Sequence, residues 1–60
     1  MNLTEDLARE TLIALRDRAH TLRCEIFNTL NEAVADIARR QLNRVNEAGR
    51  AIADQLGETF

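Results

Sequence analysis

The apolar residues of this chain follow two helical lines that cannot belong to one straight helix. Ala8, Leu12, Leu15, Ala19, Leu22 and Ile26 alternate spacings of four and three, which is the seam of an amphipathic helix. Continued unchanged, that seam would fall on Thr29, Ala33, Asp36 and Arg40, a poor core. It resumes instead at Ala35, Ala38, Leu42, Val45, Gly49, Ile52 and Leu56, shifted by two positions. On an ideal helix the shift is a rotation of roughly 200°, so an unbroken rod would point its two halves in opposite directions. A reversal of the backbone reconciles them. The pattern therefore predicts a first helix over about 3–27, a turn at 28–29 and a second helix over about 30–56, within a single domain 1–60.

Local chemistry supports these boundaries. Asn2 or Thr4 can cap the first helix, with Glu5 and Asp6 in the first turn, where the helix dipole favours negative charge. Asn28 tolerates the left-handed geometry that ends helices, and Thr29 followed by Glu32 matches a capping box. Gly57 is a natural stop, leaving Glu58, Thr59 and Phe60 as a short tail. Asn43, Asn46 and Gly49 lower helix propensity within the second helix. Gly49 lies on the seam, however, where a missing side chain allows close approach, and a continuous helix is expected.

Sixty residues are too few for a large core: a chain of this size buries only about 60% of its unfolded surface. Two helices cannot enclose a core by themselves, because each apolar stripe needs cover from more than one side. The single cysteine rules out an internal disulfide. The expected solution is an all-α, antiparallel helical hairpin that dimerises into a four-helix bundle. Leu12, Leu15, Leu22, Ile26, Leu42, Val45, Ile52 and Leu56 would then form its seam. No apolar run is long enough to span a membrane, and the acidic N-terminal segment lacks the apolar core of a signal peptide. With one cysteine and no such signal, a cytoplasmic location is expected.

The first helix carries more apolar surface than one seam uses. Ile13, Cys24 and Phe27, with His20 among them, lie along a second stripe, while Leu3 and Leu7 lie on another side. Beside the second stripe run Arg9, Arg16 and Arg23, seven apart and therefore stacked on one side. Arg9, Arg16, His20, Arg23 and Phe27 form a basic ridge with an aromatic end, the candidate surface for a partner. Gln41 lies near the apolar arc of the second helix, where a lone polar residue can fix register. Asp36 with Arg39 or Arg40, and Arg50 with Asp54, have the spacing of helix-surface ion pairs.

Catalysis finds little support. The chain has no serine, lysine or tyrosine, and all eight of its basic residues are arginine. His20 and Cys24 are one turn apart, as two metal ligands or a nucleophile and base would be, but a two-helix hairpin offers neither a deep pocket nor oxyanion donors. No cofactor, metal or small-molecule substrate is expected. The expected function is that of a small non-enzymatic regulator or adaptor, acting as a homodimer through helix-face contacts with another protein.

In length, in its two helices and in a bundle made by dimerisation, the chain resembles the Rop-type plasmid RNA regulators. Those proteins bind paired RNA loops with a helix face although acidic overall, and this chain also has a net charge of −2. The resemblance implies an alternative, RNA binding by the same basic ridge. It rests on architecture, and no motif carries a functional residue over. A further alternative is a purely structural, extended coiled-coil segment with no turn, which would be a rod of roughly 90 Å.

Overall fold

The computed structural model of the chain describes residues 3–60, in which α1 (Leu3–Asn28) and α2 (Glu32–Leu56) pack along their lengths as a hairpin. The molecule measures 46 × 14 × 14 Å, so the chain doubles back and is not an extended rod. Neither helix is long and apolar enough to cross a membrane. The cap expected at Asn2 lies outside the described residues, and Thr4 sits within α1.

The turn lies slightly later than the sequence pattern places it. Asn28 is the last residue of α1, and the reversal occupies Thr29, Leu30 and Asn31. The cap of α2 is Asn31 and not Thr29. Asn31 has extended backbone angles, and its Oδ1 accepts from the backbone N–H groups of Ala33 at 2.9 Å and Val34 at 3.4 Å. Asn is among the strongest N-cap residues because its short side chain reaches these otherwise unpaired donors. Thr29 supports the cap from outside: its Oγ1 accepts from the Asn31 N–H at 3.2 Å. The Thr29 N–H in turn donates to the Glu25 carbonyl at 3.0 Å, closing the last turn of α1.

Each position of the predicted seam is buried or half-buried, and of its eight large side chains Leu12 and Leu22 are fully buried. Leu12, Ala19 and Leu22 on α1 and Ala35, Ala38 and Gly49 on α2 are buried, while Leu15, Ile26, Leu42, Val45, Ile52 and Leu56 are half-buried. Leu12 and Leu22 are the largest fully buried side chains. The two helices divide the work: α1 contributes its leucines, and α2 answers mainly with alanines. Ala53, off the predicted seam, is fully buried beside the half-buried Ile52. A straight helix drifts by about 20° per heptad against a 3.5-residue repeat. The contact line therefore slides from Val45 and Ile52 toward Gly49 and Ala53 along α2.

α2 ends at Gly57, whose φ of 69° is left-handed and suits a residue without a Cβ. The Gly57 N–H donates to the Asp54 carbonyl at 3.2 Å and the Glu58 N–H to the Ala53 carbonyl at 2.8 Å. This pair of bonds is a Schellman motif. It turns the chain sharply, so Glu58, Thr59 and Phe60 fold back onto the hairpin.

Candidate interaction surface

The basic ridge of α1 is divided into two parts. Its N-terminal part is held by the chain's own tail. Arg9 Nη1 contacts Glu58 Oε2 at 2.7 Å, while its Nη2 donates to Glu5 Oε1 at 3.3 Å, one turn back. The Glu58 oxygen is buried and makes no hydrogen bond of acceptable geometry, so its tie to Arg9 is one of charge. One turn pair further along α1, Arg16 Nη2 donates to the Thr59 carbonyl at 2.8 Å. Phe60 completes the fold-back. Its ring lies against Gly49, in the space a side chain there would take. The tail thus reaches across from α2 to α1 as a strap. A cleft of about 240 Å³ lined by Arg9, Leu12, Ile13, Arg16 and Glu58 remains beside it.

The other part of the ridge is exposed. Phe27 is 89% exposed, and His20, Arg23 and Cys24 are exposed as well. Cys24 Sγ lies 3.7 Å from His20 Nε2. Among the described residues no group of three His, Cys, Asp or Glu side chains is placed to hold a metal ion. Arg9 and Arg16 are engaged within the chain, whereas Arg23, nearer Phe27, makes no ion pair among the described residues. The sequence pattern does not reveal the strap, because three residues have no periodicity. The legible traces were two glycines, Gly49 on the seam and Gly57 at the stop, followed by an aromatic.

A second surface centres on Gln41 of α2. Arg18 projects roughly 180° from Arg9 around α1, and its Nη2 donates to Gln41 Oε1 of α2 at 3.0 Å. Gln41 belongs to a line of residues on α2 at spacings of three and four: Val34, Ile37, Gln41, Val45, Ala48 and Ile52. Ile37 is 56% exposed and Val34 44%, while Val45 and Ile52 are half-buried. Leu7 on α1 is also exposed, and Leu30 at the tip of the turn is wholly so. α2 separates apolar from polar residues more sharply than α1 does. Elsewhere on the surface, Arg39 pairs with Asp36 at 2.9 Å, and the expected pair of Arg50 with Asp54 is not formed.

Comparison with known protein families, with curated proteins and with solved structures finds no match. The fold itself defines the class, an all-α helical hairpin.

Proposed function

We propose that this chain is a small non-enzymatic regulator or adaptor that works by presenting helix faces to other proteins, and that it does so as a homodimer forming a four-helix bundle. The observation that carries the reading is the line from Val34 to Ile52. A hairpin with two fully buried large side chains leaves Val34 and Ile37 about half exposed, with Val45 and Ile52 half-covered on the same helix. Apolar stripes at helical spacing are normally covered, and a second copy offers an identical stripe at no further genetic cost. Gln41, already hydrogen-bonded to Arg18, sets a polar point within the stripe that favours one register over others.

Protein contact is preferred to RNA contact because Arg9 and Arg16, two of the three ridge arginines, are occupied by Glu58 and Thr59. Phosphate binding draws on unpaired cations and weakens steeply with salt. The absence of serine, lysine and tyrosine favours a binding role over catalysis.

The test is molar mass by light scattering on the chain alone. A dimer gives twice the chain mass of 6.8 kDa, with the fraction of dimer rising with concentration. A single-chain mass throughout the micromolar range would overturn the reading.

A further inference from the structure

We propose that the cleft lined by Arg9, Leu12, Ile13 and Arg16, together with the Gly49 backbone against which Phe60 lies, is a peptide-binding site for segments carrying an acidic residue two positions before an aromatic one. Glu58, Thr59 and Phe60 are its resident, displaceable occupant.

Three consecutive tail residues are each read by a different kind of contact. A carboxylate meets the Arg9 guanidinium at 2.7 Å, a backbone carbonyl accepts from Arg16 at 2.8 Å, and a ring fills the space above Gly49. Charge, main chain and an aromatic pocket are the elements by which grooves recognise short peptides. None of the three requires the segment to be joined to α2. Beyond the Schellman bonds the tail follows a glycine in left-handed geometry and has no regular structure of its own.

The resident segment does not exhaust the site. The cleft of about 240 Å³ stays open beside Glu58, and Ile13 on its wall is exposed. Glu58 Oε2 is buried without a hydrogen bond. A segment arriving from another protein can make the same three contacts and add apolar contact with Ile13. It must also outcompete a tethered occupant, whose effective concentration over so short a link is of millimolar order. The strap therefore sets a threshold that screens out weak binders. The site uses none of the stripe residues Val34, Ile37, Gln41, Val45, Ala48 and Ile52, and peptide titration tests it while light scattering tests the dimer.

The experiment uses the full chain, ¹⁵N-labelled, as the wild type and as the double variant Glu58→Ala/Phe60→Ala. Each is titrated with an end-blocked Gly-Glu-Thr-Phe peptide and with a Gly-Ala-Thr-Ala control. The Gly49 amide and the Arg9 and Arg16 side-chain Nε–H signals are followed. The expected result is that the double variant keeps its helical circular dichroism and binds Gly-Glu-Thr-Phe at least tenfold more tightly than the wild type does, with shifts at all three positions. The control peptide should produce no shift. Adding Gly49→Ala to the double variant should weaken binding at least tenfold. Equal affinity of wild type and variant, equal response to the two peptides, or no response in the variant would overturn the proposal. So would loss of helicity in the double variant, which would make the tail a brace and not an occupant.

Discussion

The ring of Phe60 occupies the place where a side chain on Gly49 would begin. This reverses the usual account of a glycine within a helix. Replacing it with alanine should stabilise α2 by about 1 kcal/mol from propensity alone, but here the new methyl evicts the ring. Gly49→Ala is expected to gain clearly less than that in the intact chain, and to show the full gain when combined with Phe60→Ala. Urea denaturation of the four members of this cycle measures the difference. Equal gains in both backgrounds would mean that ring and glycine do not meet.

Leu12 and Leu22 are fully buried within one hairpin, whereas Leu15 and Leu42 are only half-covered. Leu12→Ala or Leu22→Ala should cost about 2–5 kcal/mol at any protein concentration. Leu15→Ala and Leu42→Ala should cost less in dilute solution, and more as concentration rises and a second copy covers them. Thermal unfolding over a hundredfold dilution series checks the contrast.

Ile37→Glu places a charge at the most exposed large apolar residue of the stripe on α2 without touching the seam. The expected outcome is a fall in molar mass to that of one chain, with the helical circular dichroism retained. An unchanged mass would remove Ile37 from the dimer contact. Val34→Glu, one turn earlier and less exposed, should act in the same direction.

At the turn, the cap belongs to Asn31, whose Oδ1 accepts from two backbone donors, while Thr29 accepts from one. Asn31→Ala should cost about 1 kcal/mol, and Thr29→Ala distinctly less. Chemical denaturation of the two variants ranks them. The opposite order would return the cap to Thr29.

These contrasts also mark where sequence reading succeeds and where it stops. The change of phase between Ile26 and Ala35 was enough to call for a reversal in that interval, because an unbroken helix would point the two seams in opposite directions, but not to set its residues. Burial of Leu12, Leu22, Ala35, Ala38 and Gly49 followed from the same periodicity. The choice of Asn31 over Thr29 did not, since two capping signals two residues apart overlap and the backbone angles decide between them. Ala53 escaped notice because a strict three–four alternation ignores the slow drift of a straight helix. The strap was invisible for a different reason. Its central contact pairs an aromatic with a missing side chain, and no pattern of apolar residues records an absence.

The strap also changes how the hairpin comes apart. A bare helical hairpin is a zipper fastened at one end by its turn and free to fray at the other. Arg9 bound to Glu58, and Arg16 to Thr59, put a second clasp at the open end. With both ends fastened, opening loses its natural starting point. Amide exchange near Ala8 and Ala53 should then be as slow as exchange beside the turn, and cutting the second clasp should restore a gradient along the rod.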